Sequence, residues 1–213
     1  VKRLLALAGL AALVSLSTAV AAPPLLLQHP SLSQNEVAFD FAGEIWVAPR
    51  TGGEARPLVA GQDQNSRPIF SPDGRWVAFT GRFDGNTDVY VVPAAGGEPR
   101  RLTWHPATDT ALGWTPDGKN VVFRSQRVTP RDLDQLFTIP ATGGAATQLP
   151  LPSGTEASYS PDGGRLAYAP FQQNQPAWKH YRGGQTARIW IADLSDSHID
   201  KVPRENSNDK NPM

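Results

Sequence analysis

The 213-residue chain has no cysteine. No disulfide can staple it, and no Cys/His spacing of a zinc site can be written. Its 20 basic and 20 acidic residues cancel to a formal charge of zero. The basic stripe that a nucleic-acid partner would require is missing. Only four histidines occur: His29, His105, His180 and His198. None stands in a nucleophile motif, and neither G-x-S-x-G nor H-E-x-x-H occurs. The nucleophile, base and orienting acid of serine hydrolysis therefore have no recognisable seat here. No glycine-rich phosphate loop opens a helix, because Gly52-Gly53 and its relatives follow strands. No internal segment keeps a 3.6-residue amphipathic spacing. What remains is a chain whose stability must come from sheet packing, with no catalytic residue, metal or cofactor expected in it.

One apolar run stands apart at the N-terminus. Lys2 and Arg3 precede Leu4 to Leu16, and Ala19-Val20-Ala21 supplies a small-x-small cleavage pattern. This reads as a signal peptide over 1–21, so an exported chain, periplasmic or secreted, is expected. The alternative is a membrane anchor, but the run is shorter than the ~20 residues that span a bilayer. No membrane contact is expected after cleavage.

The rest of the chain is a repeat. An aromatic residue followed by Ser/Thr-Pro-Asp-Gly occurs at Phe70, Trp114 and Tyr159, at spacings of 44 and 45 residues. A short β-type run with a central aromatic travels with it, around Trp46, Tyr90, Phe137 and Trp190. Three of these runs lead into Pro-x-x-Gly-Gly turns at Pro49, Pro93 and Pro140. Twenty prolines and 19 glycines thus sit in phase with the repeat as turn residues, not as a disordered tract. A period of this length with several strands per unit predicts an all-β fold, a β-propeller of four-stranded antiparallel blades.

Phase then places the blades over 22–213: near 25–60, 64–104, 108–150 and 155–203. In blade two the predicted strands are Ser66 to Phe70, Arg75 to Thr80, Asp88 to Pro93 and Pro99 to Thr103. Blade one gives Glu36 to Phe41, Glu44 to Pro49 and Ala55 to Val59, and its first turn, Leu32 to Asn35, lacks the Pro-Asp-Gly signal. Blade three gives Thr110 to Trp114, Asn120 to Ser125, Gln135 to Pro140 and Ala146 to Leu149. Blade four gives Ala157 to Ser160, Arg165 to Ala169, Arg188 to Asp193 and Ile199 to Val202. Two aromatic rows, Phe39/Phe79/Phe123/Tyr168 and Trp46/Tyr90/Phe137/Trp190, are expected to fill the gaps between blades. Residues 206–213 look like the start of a fifth blade, since Asn211-Pro212-Met213 aligns with Arg67-Pro68-Ile69. The expectation is an incomplete ring and a truncated sequence.

The spacing breaks once. Pro170 to Thr186 adds about 17 residues to blade four, and long loops on regular scaffolds commonly carry function. The candidate contact residues are Trp178, Lys179, Tyr181, Arg182, Gly183 and Gly184. Either this loop meets substrate or a partner domain, or it packs Trp178 and Tyr181 against the blade edge. Asp84-Gly85-Asn86-Thr87-Asp88 mimics the start of a calcium loop but lacks the downstream bidentate Glu. Its position between two strands favours a hairpin turn.

The segment AWKHYRGG at 177–184, followed by RIWIADL at 188–194, resembles the tricorn protease family at the first of its two propellers, which is six-bladed there. RFDGNTDVYVVPAAGGEPRRLTWHP and the closing VPRENSNDKNPM fit as well. The resemblance covers about Leu25 to Met213. The SPDG turn is shared with TolB-like exported propellers, whereas the WKxYRGG loop is more specific. The resemblance implies the non-catalytic propeller of an exported serine peptidase that degrades peptides. In that family the propellers act as a filter and channel. A second propeller, a PDZ-like region and a separate catalytic domain would be its partners, in a homo-oligomer, with peptides as substrates. Archaeal members carry adjacent arginines before the inner strand of blade three, thought to anchor a peptide carboxylate. The matching stretch here, Trp104 to Thr110, has none, and Arg100-Arg101 lies on an outer strand. A TolB-like scaffold that docks other envelope proteins is the alternative.

Overall fold

The computed structural model describes residues 26–61, 64–128, 133–172, 186–196, 198–203, 209 and 211–213. Sixteen strands form four separate antiparallel sheets of four, and no helix occurs among the described residues. Blade 1 holds β1 (Gln28–Leu32), β2 (Glu36–Phe41), β3 (Glu44–Pro49) and β4 (Arg56–Val59). Blade 2 holds β5 (Ser66–Phe70), β6 (Trp76–Phe83), β7 (Asn86–Pro93) and β8 (Arg100–Arg101). Blade 3 holds β9 (Asp109–Trp114), β10 (Asn120–Ser125), β11 (Gln135–Pro140) and β12 (Thr147–Gln148). Blade 4 holds β13 (Glu156–Tyr159), β14 (Arg165–Ala169), β15 (Trp190–Asp193) and β16 (Ile199–Lys201). Within each sheet the strands lie in chain order. The first strand of each blade contacts the first strand of the next, so the sheets are arranged side by side about an axis and the set is not closed.

Each repeat turn is built by one hydroxyl and one carboxylate. Ser71 Oγ donates to Asp73 Oδ1 at 2.6 Å and accepts from Trp76 N at 3.0 Å. Asp73 Oδ1 also accepts from Arg75 N at 3.0 Å. Gly74, at φ 71°, completes the reversal in a region that side-chain-bearing residues avoid. Thr115 with Asp117, and Ser160 with Asp162, repeat the same bonds. In blade 1 the corresponding Ser33 accepts from Glu36 N at 3.0 Å with no aspartate involved. The hydroxyl alone therefore suffices to turn β1 into β2, and the missing Pro-Asp-Gly signal hid a strand. Successive turns lie against one another: a methyl group at Gly118 would touch Pro72 at 3.6 Å, and one at Gly163 would touch Pro116 at 3.7 Å.

Each sheet carries its cross-strand aromatic pair on one face and mostly aliphatic side chains on the other. The aliphatic face of blade 1 (Ala38, Ile45, Val47) packs on the aromatic face of blade 2 (Val77, Phe79, Tyr90, Val92). Blade 2 then offers Ala78, Val89 and Val91 to Val121, Phe123, Phe137 and Ile139 of blade 3. Blade 3 offers Leu136 to Leu166, Tyr168 and Ala192 of blade 4. The two aromatic rows are cross-strand partners: Phe79 opposes Tyr90, Phe123 opposes Phe137 and Tyr168 opposes Trp190. Their ring centroids lie 5.5, 5.4 and 6.1 Å apart. Phe79, Phe123 and Tyr168 are fully buried, and each of the two phenylalanines contributes roughly 1.5–3 kcal/mol. Phe39 and Trp46, the same pair in blade 1, are only half-buried. They line an apolar groove of about 540 Å³ with Val37, Phe41 and Ala48. Among the described residues none covers that face of blade 1.

Some elements depart from expectation. β6 and β7 run three and two residues further towards their hairpin than the sequence indicates. The outer strands β8 and β12 shrink to two residues each. Side chains and single backbone bonds take over there: Thr103 Oγ1 accepts from Val89 N at 3.0 Å, and Leu149 N donates to Leu136 O at 2.8 Å.

The turn bonds carry an acid signature. The Ser71 hydroxyl, then the Arg75 backbone and side chain, lower the Asp73 carboxyl to about 2. Thr115 and Ser160 depress Asp117 and Asp162 in the same way. A carboxyl lowered on folding stabilises above its unfolded value of 3.8, and that contribution is lost as pH falls towards about 2. Melting temperature should therefore decline across that window. Ser71→Ala should cost about 1 kcal/mol and move the Asp73 titration, followed by carboxyl NMR, back towards the ordinary value. An unmoved titration would show that the hydroxyl does not hold it.

Candidate functional site

Three residues before the repeat aromatic, each innermost strand carries one residue that lines a common cavity. In blades 2, 3 and 4 these are Arg67, Ala111 and Glu156. The corresponding residue of β1 is His29, and Asn211 holds that position beyond blade 4. All five line one cavity of about 190 Å³, together with Pro30, Ile69, Leu112, Ala157 and Pro212. His29, Arg67 and Asn211 share left-handed backbone, at φ 46°, 56° and 53°, and each precedes a proline. The pairing of β1 with β2 and of β5 with β6 slips at these points. The result is a bulge that turns the backbone N–H away from its own sheet.

The freed N–H groups are captured by the preceding blade. Asp40 Oδ1 accepts from Arg67 N at 3.2 Å and from the His29 ring at 2.8 Å. Thr80, which stands in β6 where Asp40 stands in β2, accepts from Ala111 N at 3.0 Å. Arg124, at the same place in β10, reverses the polarity and donates to Thr155 O at 3.1 Å. One position per blade thus clasps the next blade's innermost strand. Asp40 and Thr80 are buried, so these bonds form away from competing water.

Charge gathers at the axis. Arg67 lies 3.9 Å from Glu156, whose other oxygen accepts from Asn211 N at 2.5 Å. Burial, and then the nearby Arg124, lower the Arg67 guanidinium below its usual value, while Glu156 and Asp40 oppose that shift. Arg124 is itself 3.7 Å from Asp134. The cavity therefore presents cation, carboxylate, imidazole and amide around an apolar wall. It can meet the polar backbone of an extended chain and its side chains at once.

The adjacent arginines have structural work elsewhere. Arg100 lies over the Trp76 ring, 5.6 Å from its centroid, and donates to Ala141 O of blade 3. Arg101 pairs with Asp88 at 2.5 Å and lies 4.2 Å over Trp104, which is 72% exposed. Burial raises the Asp88 carboxyl, against the Thr103 hydroxyl and Arg101. Within Asp84–Asp88, Asp84 and Gly85 make the hairpin turn at φ 53° and 83°, Asn86 to Asp88 begin β7, and the Asp88 carboxylate faces Arg101, not solvent.

The loop residues singled out from sequence, Trp178, Lys179, Tyr181, Arg182, Gly183 and Gly184, lie outside the described residues. The axial residues were not singled out. Their only signal is phase, a fixed offset from the aromatic of the Ser/Thr-Pro-Asp-Gly turn, because five different residue types occupy the position.

Four-stranded sheets stacked face to face about an axial cavity define an unclosed β-propeller. The chain matches the tricorn protease N-terminal beta propeller domain over residues 24–213, and it belongs to that family. It is 33% identical over 172 residues to Tricorn protease homolog 1 of Streptomyces coelicolor, covering 80% of this chain and 16% of that protein. The chain thus spans about a sixth of the length of that curated relative. The crystal structure of the tricorn protease superposes with a TM-score of 0.75 at 24% identity, over 87% of this chain and 19% of that one. A putative TolB from Agrobacterium tumefaciens gives 0.68 at 20% identity, over 86% and 64%.

The clasp is testable at Thr80. Thr80→Val keeps shape but removes the acceptor for the buried Ala111 N–H. Urea unfolding should show a loss of about 1–3 kcal/mol, whereas Thr142→Val on an exposed turn should be neutral. Equal small effects would remove the clasp from the account.

Proposed function

We propose that this chain is a non-catalytic propeller segment of an exported, tricorn-like serine peptidase, and that its axial cavity gates or channels peptides for a separate catalytic domain. The single observation behind this reading is family membership joined to a polar cavity on the axis. The cavity of about 190 Å³ is well below the 300–1,000 Å³ typical of small-molecule pockets. A closed ring with a cavity of that scale on its axis would pass an extended polypeptide and exclude a folded one. In this reading bond-breaking belongs to the separate catalytic domain, and the described residues that line the cavity include no hydroxyl side chain. The catalytic domain, a second propeller, a PDZ-like region and a homo-oligomeric assembly are part of the same proposal, as is export by the N-terminal apolar segment.

A second reading has its own support. TolB structures share the fold, with TM-scores of 0.68 and 0.66. A TolB-like scaffold would dock folded envelope proteins and would not process peptides.

The loop at 178–184 offers the discriminating experiment in the full-length protein. Changing Trp178, Tyr181 and Arg182 together to Ala should change turnover of fluorogenic oligopeptides several-fold, or alter assembly size by light scattering. The catalytic domain should stay folded by its own melting transition. Unchanged turnover and assembly would oppose the gating role, and binding of folded envelope proteins with no peptide turnover would favour the scaffold.

A further inference from the structure

Four Asp–Gly steps occur in the chain, at Asp73, Asp84, Asp117 and Asp162. Such a step carries latent chemistry, because glycine has no side chain to shield its backbone nitrogen from the carboxyl group before it. Three of the steps sit in the repeat turns, where both reacting groups are tied down. Asp73 Oδ1 accepts from the Ser71 hydroxyl at 2.6 Å and from Arg75 N at 3.0 Å, while Gly74 N donates to Ser71 O at 2.8 Å. Asp117 accepts from Thr115 and from Lys119 N, and Gly118 N donates to Thr115 O at 2.8 Å. Asp162 accepts from Ser160 and from Gly164 N, and Gly163 N donates to Ser160 O at 2.9 Å. Neighbours also crowd these turns: a methyl group at Gly74, Gly118 or Gly163 would meet Ser33, Pro72 or Pro116 at 3.3, 3.6 or 3.7 Å. The turn hydroxyls lower all three carboxyls, so the neutral acid, the form that can lose water, is scarce there.

The fourth step is built differently. Asp84 and Gly85 are the two central residues of the β6–β7 hairpin, at φ 53° and 83°, and Phe83 pairs with Asn86 across them. Both are exposed. Among the described residues no hydrogen bond engages the Asp84 carboxylate or the Gly85 N–H, and a methyl group at Gly85 would meet nothing within 4 Å. Nucleophile, electrophile and space are therefore all available at this one step.

We propose that Asp84–Gly85 is a self-modification site, at which the chain isomerises to isoaspartate without an enzyme. The Gly85 nitrogen attacks the Asp84 side-chain carboxyl carbon. A new C–N bond closes a five-membered imide, the carboxyl C–OH bond breaks, and the hydroxyl leaves with the amide proton as water. Water then opens the ring. Addition at the side-chain carbonyl breaks the new bond and restores aspartate. Addition at the main-chain carbonyl breaks the original peptide bond, so the backbone runs on through Cβ and Cγ and the main-chain carbonyl becomes the free carboxylate. Water is the only co-reactant, and nothing is oxidised or reduced. The product has one more backbone atom in a two-residue turn, the element that sets hairpin register. The strain falls on neighbours tied to other parts: Phe83, whose ring lies 4.8 Å from that of Tyr90, and Asn86, which donates to Asp88 at 2.9 Å and to His105 O at 2.8 Å. The hydroxyls of the repeat turns protect the other three steps from the same fate.

The four steps supply their own controls. The full-length protein is incubated at mildly acidic pH, and peptide mapping with electron-transfer fragmentation distinguishes the two isomers at each step. Isoaspartate at 84 should accumulate at least about tenfold faster than at 73, 117 or 162, the factor expected when hydrogen bonds must be released before attack. In concentrated urea the four rates should converge. Ser71→Ala should raise the rate at 73 and leave that at 84 unchanged. Asp84→Glu, whose ring would need six members, should remove most of the methyl label that an isoaspartyl carboxyl methyltransferase adds to the aged protein. A rate at 84 no faster than the other three in the folded protein would overturn the proposal. So would an ordering that persists in urea, which would assign it to flanking sequence, or an unmoved rate at 73 in Ser71→Ala.

Discussion

Each blade of this chain is a sheet that is apolar on both faces, so no blade can remain in water unless another covers it. That constraint sets the rest. The solution is directional: the aliphatic face of one blade receives the aromatic face of the next. Large rings meet small side chains at every interface, which lets neighbouring sheets approach and splay as a propeller demands. Three such interfaces exist, and the aromatic face of blade 1 has no partner among the described residues. Phe39 and Trp46 occupy the places that are sealed in blades 2 and 3, yet they stay half-buried. At the other end Ala167 and Ile191 of blade 4 are likewise half-covered. The open groove is thus the ordinary interface seen from one side.

Hydrogen bonds do a separate job. Hydrophobic packing is non-directional and would tolerate blades that slide. The clasps at Asp40, Thr80 and Arg124 fix the height of each innermost strand against the last. Their consequence is geometric: the innermost strands are held in step, so that His29, Arg67, Ala111, Glu156 and Asn211 line one cavity. Turn chemistry and axial chemistry are linked in the same way. A hydroxyl turn holds one end of every innermost strand, joined by a carboxylate in blades 2, 3 and 4, and the cavity-lining residues lie a few positions away. The same short segment fixes the mouth and lines the cavity.

Much of this architecture was legible in the sequence, and particular residues show why. β2, β3, β5, β10, β11 and β14 end where expected because Ser-Pro-Asp-Gly, Pro-x-x-Gly-Gly or strand aromatics mark both sides. The alternation of Trp76, Ala78 and Thr80 against Val77 and Phe79 assigned faces correctly. β1 was missed because Ser33 makes the turn without the aspartate that flags the others. The outer strands were drawn too long because periodicity cannot tell a ladder bond from the Thr103 side chain that replaces it. The axial site stayed hidden for a deeper reason: His29, Arg67, Ala111, Glu156 and Asn211 share a position and no chemistry. A motif search needs repeated residue types, whereas a ring of unlike residues around an axis is visible only once the strands are placed.

The central claim, that cohesion comes from aromatic-on-aliphatic packing between successive blades, is tested most directly by a double-mutant cycle across the first interface. Ile45 of blade 1 and Phe79 of blade 2 are both fully buried in one cluster. Equilibrium unfolding of Ile45→Val, Phe79→Leu and the double variant gives their coupling. Phe39→Leu with Phe79→Leu is the reference pair, since the sheet of blade 1 lies between those faces. The account predicts coupling of about 1 kcal/mol for Ile45 with Phe79, and additivity within ~0.5 kcal/mol for the reference. Additivity at Ile45 and Phe79, or equal coupling in both pairs, would contradict it.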